Sequence, residues 1–383
     1  MEKALGSKQA IVITGMRRTG KTTAVKYLLE KTKSTNKIYL DLERVEVRAI
    51  LNEPNYGNIV KALELEGLDF KNKAYIALDE IQLVQNIPSV IKYLYDTYSV
   101  KFIVTGSSSF YLKNHFSESM AGRKRVFEIF PLDFEEYLRF KEFQINLPPS
   151  KFNNTPLAFY NKLNSAYNEF ILFGGFPEVV LINNNKEKKI LLHDIVKSYL
   201  SLDIKFLADF TVTDELYKLI KLLTARVGSR LDYTKLGAMA GIDRKKVKDY
   251  LLFFEQTYLI HQVNAYSKNA DKEIVSQKKL YFSDTGILNI TGQVSSGALL
   301  ENAVALQLMR KGEVNYYTRK NGLEIDFILD NSIAIEVKET PSPSDLQTLK
   351  QRAELAGITK HYLVAKNFPN KNFKDFIWAG SIY

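Results

Sequence analysis

"AIVITGMRRTGKTT", Ala10–Thr23, decides how this chain is read. An apolar run ends in a glycine-rich loop of the form G-x-x-x-x-G-K-[ST], and a helix-forming segment follows. That strand–loop–helix setting is what the motif requires. Glycines at 15 and 20 let backbone N–H groups turn inward around a β-phosphate. Lys21 reaches the β and γ oxygens, and the Thr22 hydroxyl ligates Mg²⁺. The loop as a whole, Arg17, Arg18, Thr19 and Thr23 included, is assigned to the nucleotide, with ATP and Mg²⁺ as the expected cofactors.

Outward from the loop, "QAIVITG", "KIYLDLE", "AYIALDE" and "KFIVTGSSS" are continuous apolar runs with polar ends, the pattern of parallel strands buried on both faces. The expected fold is therefore α/β, with functional groups at the C-terminal edge of the sheet. In "YIALDEIQ" the strand ends at Asp79-Glu80, placing one carboxylate near the metal and the next near an attacking water. Asp79 is expected to hold Mg²⁺ through its shell and Glu80 to act as general base. Ser107 or Ser108 is placed to sense the γ-phosphate, or else to cap a helix start.

Composition bounds the rest. With 383 residues, 45% hydrophobic and 25% charged, the chain reads as a folded protein of several domains. Its formal net charge of +10 favours a polyanionic partner. The absence of cysteine excludes disulfides, thiol catalysis and thiolate metal sites and fits a reducing compartment. No apolar run approaches the roughly 18 residues of a membrane span, and no signal-peptide core is visible, so a cytoplasmic protein with no membrane partner is expected.

Further along, "INLPPSKFNNTP" has linker composition, and residues 150–224 carry helical periodicity broken at "FGGFPEVV". "YTKLGAMAGIDRKKVKDYLLFFEQTYLI" reads as helix, turn at Gly241, and second helix capped by Asp243, with a wing running to "LYFSDTG". Arg244, Lys245 and Lys248 fall on the exposed side of the second helix, with Val247, Leu251 and Leu252 turned inward. Such a helix could enter a DNA major groove, or its basic face could simply be solvated in an interdomain lid.

In "EIDFILDNSIAIEVK", Glu324–Lys338, side chains alternate faces along each strand. A turn at "DNS" folds Ile325, Phe327 and Leu329 together with Ile333, Ile335 and Val337. Asp326, Glu336 and Lys338 then share the opposite face. Two adjacent carboxylates call for a hard divalent cation, and the lysine can orient water for attack on a phosphodiester. A solvent-facing charged strand is the alternative.

The order of "GMRRTGKTT", "LDEIQ", "TGSSS", "SMAGRKRVFEIFPLDFEEYL" and "YFSDTGIL" resembles a large group of prokaryotic AAA+ superfamily ATPases. The resemblance implies an AAA+ core, a helical lid, a winged helix and a C-terminal restriction-endonuclease-like domain. On this sequence they are expected over residues 1–148, 149–214, 215–283 and 284–383. Arg123 matches that group's arginine and contacts the γ-phosphate, in cis or from a neighbouring copy, or forms an ordinary surface salt bridge. The D…E-x-K spacing resembles the PD-(D/E)xK nuclease motif, with Glu301 on the preceding helix as its additional acid, so Glu301, Asp326 and Glu336 are the expected metal ligands. The implied function is an ATPase coupled to a nuclease-like domain acting on nucleic acid, with DNA as the expected partner. The alternative is a nucleotide-dependent switch that binds protein partners or further copies of itself, with a silent nuclease fold.

Overall fold

The computed structural model describes residues 1–106, 120, 122–144, 156–203, 213–267, 276–319, 322–369 and 373–382. The Ser107 and Ser108 assignments lie outside the described residues. The chain divides into two units, residues 1–130 with 256–258, and residues 131–255 with 259–383.

In the first unit the apolar runs become β1 (Ala10–Thr14), β2 (Lys37–Asp41), β3 (Ala74–Asp79), β4 (Val100–Gly106) and β5 (Lys124–Glu128). They form one parallel sheet in the order β2-β3-β4-β1-β5. Ile11 and Ile13 of β1 pack with Val25, Leu28 and Leu29 of helix Lys21–Glu30 on one face. Val12 turns to the other face, against Leu78, Val90 and Val104. Burial on both faces is why these strands read as unbroken apolar runs. Because β4 lies between β1 and β3, its penultimate residue Thr105 stands beside both the phosphate-loop strand and the Asp79 strand.

The second unit begins with helices Phe134–Phe140, Leu157–Phe173, Pro177–Leu181 and Asn185–Ser198. Helices Thr213–Thr224, Tyr233–Ala240 and Arg244–Gln256 follow, with Gly241 at φ +79° and the Asp243 carboxylate accepting from Lys246 N–H at 2.9 Å. A two-stranded ribbon, β6 (Ile260–Val263) and β7 (Lys279–Phe282), completes a helix-turn-helix with a wing-like extension. On the second helix Val247 and Leu251 are buried as expected, but Leu252 is 51% exposed. Tyr250, Phe253 and Phe254 fill the inner face instead, since larger rings close that gap.

The remaining strands, β8 (Val314–Thr318), β9 (Glu324–Leu329), β10 (Ile333–Lys338), β11 (Lys360–Ala365) and β12 (Ile377–Trp378), form a mixed sheet. β8, β9 and β10 are antiparallel, and β11 and β12 continue in parallel with β10. Helices Ser296–Met309 and Pro343–Ala356 pack against this sheet.

The periodicity break at "FGGF" and the end of the wing at "FSDTG" fold into one structural lock. The buried Asp284 carboxylate caps helix Thr285–Thr291 by accepting from Ile287 N–H at 2.9 Å, and its other oxygen accepts from Gly175 N–H at 2.8 Å. Gly174, at φ +75°, leaves no room for a Cβ, which would stand 2.1 Å from Asp284 Oδ1. A Cβ on Gly175 would lie 2.1 Å from the Leu132 carbonyl oxygen. Asp284→Ala should therefore cost about 1–3 kcal/mol of stability through lost hydrogen bonds. Gly175→Ala should cost more, because backbone must move. Urea unfolding of both variants, monitored by circular dichroism, checks this order.

Candidate functional site

Two sites emerge, one in each unit. In the first, β1 runs straight into Gly15, whose missing side chain lets the Ile129 carbonyl pass where a Cβ would stand 2.1 Å away. Arg18 and Gly20 adopt positive φ, +62° and +95°, turning the loop back on itself. Gly20 caps helix Lys21–Glu30 without a side chain, so the first N–H groups of that helix are offered to an anion. The Lys21 ammonium donates to the Met16 carbonyl at 3.0 Å, and the Thr19 hydroxyl donates to the same oxygen at 2.8 Å. Lys21 is thus held inside the loop at 5% exposure. Arg17 lies 4.0 Å from Glu43, and Thr23 sits exposed on the first helical turn.

Asp79 is buried at the end of β3 and is the hub of this site. Its Oδ2 accepts from Thr22 Oγ1 and from the Tyr39 hydroxyl, each at 2.7 Å, and its Oδ1 accepts from Thr105 Oγ1. The phosphate loop and three adjacent strands therefore meet on one carboxylate. Tyr39, in the middle of β2, and Thr105, near the end of β4, carry no motif in the sequence; strand pairing alone brings them to Asp79. Burial first, and then Asp79, push the Tyr39 hydroxyl well above its ordinary value, so it remains a donor. Glu80 adopts φ +57°, its N–H donates to Thr105 Oγ1 at 3.0 Å, and its carboxylate accepts from Gln82 Nε2. Backbone strain of this kind holds a side chain away from the direction the strand would give it. Arg123 pairs with Asp96 at 3.2 Å, with its guanidinium over the Tyr95 ring. Within one chain this is the surface salt bridge, the alternative to a phosphate contact.

The second site is built on the β9–β10 hairpin. Asp330 and Asn331 both take positive φ, +49° and +53°, the two-residue turn that matches strand twist. The register pairs Leu329 with Ile333, Ile328 with Ala334 and Phe327 with Ile335, which carries Asp326 opposite Glu336. Alternation, however, is broken once. Asn315 pairs with Ile328 and Tyr317 with Ile325, so Tyr316 alone faces the two residues Asp326 and Phe327. This β-bulge turns Ile325 out of the expected Phe327–Leu329 set and into a cluster with Ile328, Ala334, Leu349 and Ala353. The face expected to carry only charges is thus covered by helix Pro343–Ala356.

Desolvation dominates the electrostatics there. Glu336 is 6% exposed; its Oε1 accepts from Lys338 Nζ at 2.9 Å and Arg352 Nη1 at 3.3 Å, while its buried Oε2 has no hydrogen-bond partner among the described residues. Asp326 Oδ2 accepts from Val337 N–H at 2.8 Å. Burial first and the Asp326 charge second push the Glu336 carboxyl up, and burial also raises Asp326. On helix Ser296–Met309, Glu301 accepts from the Tyr281 hydroxyl at 2.8 Å, and burial with the nearby Asp326 raises it to about 7. Unforeseen in the sequence is Lys279 of β7. Its side chain is 1% exposed and its ammonium lies 2.6 Å from Glu324 and 3.6 Å from Glu301. Burial opposes that charge, but Glu301, Asp326 and Glu324 override it and keep the lysine protonated above its ordinary value. Among the described residues, no three carboxylate or imidazole groups converge tightly enough to enclose an ion unaided.

Arg244, Lys245 and Lys248 are exposed on helix Arg244–Gln256, with Lys248 over the Tyr233 ring. Among the described residues no helix is long and apolar enough to cross a membrane.

A parallel sheet with a phosphate loop, a buried aspartate and a following glutamate at its C-terminal edge defines an AAA+ type nucleotide-binding unit. Residues 7–138 match the AAA domain, residues 164–296 a domain of unknown function (DUF8612), and residues 296–382 another (DUF4143). An uncharacterized protein of Methanocaldococcus jannaschii, MJ1544, is 31% identical over 340 residues, spanning 85% of this chain and 74% of that one. The chain belongs to the same family as that archaeal protein. An uncharacterized protein of Haemophilus influenzae is 24% identical over 92% of this chain and 89% of its own. Among solved structures, the Aeropyrum pernix ORC2 protein aligns at 11% identity over 76% of this chain and 88% of that one, with a TM-score of 0.41.

On the expectation that Lys21 faces the β- and γ-phosphates, Lys21→Ala should abolish nucleotide hydrolysis and weaken nucleotide binding. Glu80→Gln should keep binding and lose turnover, since only water activation is removed. Phosphate release and fluorescent-nucleotide binding separate the two effects; wild-type turnover by Lys21→Ala would contradict the assignment.

Proposed function

We propose that this chain is an ATPase that couples its nucleotide state to metal-dependent cleavage of nucleic-acid phosphodiesters by the second unit. The reading rests above all on Glu336 Oε2, a buried carboxylate oxygen without a partner, on a strand that also carries Lys338 and opposite one that carries Asp326. An orphaned buried acceptor costs about 1–3 kcal/mol, a cost that a bound ion or water relieves.

On the nucleotide side, Thr22 and Asp79 offer hard oxygens joined by a 2.7 Å hydrogen bond, which suits Mg²⁺. The loop N–H groups and Lys21 bind the phosphates, Glu80 positions and deprotonates water, and Ser107 senses the γ-phosphate. Arg123, released from Asp96, serves a neighbouring copy. In the second unit Asp326, Glu336 and Glu301 supply oxygens for a divalent cation, whose role when bound is to polarise the scissile phosphate and its water. Lys338 orients that water and Arg352 holds Glu336 in place. The organisation into AAA+ core, lid, winged helix and nuclease-like domain belongs to the same reading, as does nucleic acid as partner, and a cytoplasmic setting accords with it.

A second reading has its own support. Lys279, Lys338 and Arg352 already bring positive charge to the acids, as they would in a silent scaffold that only reports nucleotide state to protein partners.

Asp326→Ala or Glu336→Ala should eliminate Mg²⁺- or Mn²⁺-dependent cleavage of plasmid DNA or RNA while ATP hydrolysis continues. Lys338→Ala should slow cleavage and spare metal binding. No cleavage by the wild type, with or without ATP, would favour the scaffold reading.

A further inference from the structure

Within the second unit, the segment between helices Thr213–Thr224 and Tyr233–Ala240 runs along the free edge of β7. Gly228 N–H donates to the Leu280 carbonyl at 3.0 Å, Leu231 N–H donates to the Lys278 carbonyl at 2.8 Å, and Arg230 bridges Lys279. This segment lines a cavity of about 470 Å³ together with Gln277 and Glu324. Arg226, Arg230 and Lys235 project around it.

The charges in this cavity do not cancel. Asp232 spends its carboxylate on the N-terminus of the next helix, accepting from Thr234 and Lys235 N–H at 3.0 Å each. Glu324 is committed to Lys279 at 2.6 Å. Arg230 and Lys235 are exposed and form no ion pair among the described residues. Arg226 reaches only the Ala225 carbonyl at 3.4 Å and the Met239 sulfur at 3.7 Å, both weak partners for a guanidinium. Three cations thus face one open volume against two carboxylates, Asp232 and Glu324, of which Glu324 is already paired with Lys279, so positive charge prevails in the lining.

The floor of the cavity leads to the acids. Gly228 is at φ +71°, and a Cβ there would lie 2.7 Å from Glu301 Oε1. Absence of a side chain at 228 leaves the Glu301 carboxylate against the cavity wall, with Glu324 lining it directly.

We propose that this cavity is the entry cleft for a nucleic-acid backbone, with Arg226, Arg230 and Lys235 holding phosphates so that the next phosphodiester lies against Glu301 and Glu324. The inference rests on the reading of the acid cluster as a phosphodiester-cleaving site, and it places the principal contact in this cleft instead of on the helix carrying Arg244, Lys245 and Lys248. Guanidinium groups suit this role because they bind phosphate oxygens in a fork and stay charged when half-buried.

The test is fluorescence anisotropy of labelled single-stranded and duplex 20-mer DNA on the full chain, in Ca²⁺ to prevent cleavage, across about 50 to 200 mM salt. Arg226→Gln/Arg230→Ala/Lys235→Ala should lose at least tenfold in affinity, and the log–log salt slope should fall by about two, since each lost phosphate contact removes about 0.7–0.9 from it. Arg230→Glu/Lys235→Glu, at two exposed positions, should show a comparable loss with an unchanged melting temperature, which separates binding from folding. The proposal is overturned by wild-type affinity in both variants, by loss only in Arg244→Ala/Lys245→Ala/Lys248→Ala, by no wild-type binding at 50 mM salt, or by binding of inorganic pyrophosphate alone. Tight wild-type binding that the cavity variants abolish, without any cleavage in Mg²⁺, would support the cleft and reject the cleavage reading.

Discussion

A lysine buried among acids governs the second unit. Taking the Lys279 ammonium out of water is expensive, and burial also raises the Glu301 and Asp326 carboxyls that lie near one another. Brought together they compensate, which ties β7 of the ribbon to β9 and to helix Ser296–Met309 through ion pairs at 2.6 and 3.6 Å. The Tyr281 hydroxyl on Glu301, and Asn302 bonded to both N–H and carbonyl of Phe282, fasten the same junction. The helix-turn-helix segment and the mixed sheet are consequently joined through a polar core, where an apolar one would have carried no chemistry.

The first unit solves a similar problem with neutral donors. Asp79 is buried, and the hydroxyls of Thr22, Tyr39 and Thr105 supply the hydrogen bonds to its carboxylate. Neutral donors leave the carboxylate's charge uncancelled, which suits a group meant to work beside a cation. The contrast with the lysine-compensated acids of the second unit is the physical reason the nucleotide site reads plainly and the second site supports two readings.

How much of this was legible in the sequence follows from range. The phosphate loop and the Asp79-Glu80 strand end were legible because local spacing dictates their geometry, and the parallel sheet followed from runs too apolar to have a wet face. The hairpin turn was legible at Asp330-Asn331, residue types that tolerate positive φ. The bulge at Asp326-Phe327 was not, because the alternation rule has no term for an inserted residue, and so Ile325 was assigned to the wrong face. Lys279 escaped notice for a different reason. It lies 47 residues before Asp326 in a segment that reads as an ordinary strand, and only tertiary pairing brings it to the acids. Glycines 174 and 175 were legible only as a break in helical periodicity, because their partner Asp284 lies about a hundred residues downstream and only tertiary packing brings it to them.

The central claim is that Glu336 keeps a buried oxygen for a divalent cation. Electron paramagnetic resonance of Mn²⁺ titrated into nucleotide-free protein, in a Thr22→Ala background that removes the hydroxyl ligand of the other site, tests it directly. The account predicts one Mn²⁺ bound per chain and its loss in Glu336→Gln, a change that preserves volume and removes charge. No bound Mn²⁺, or the same uptake in Glu336→Gln, would contradict it.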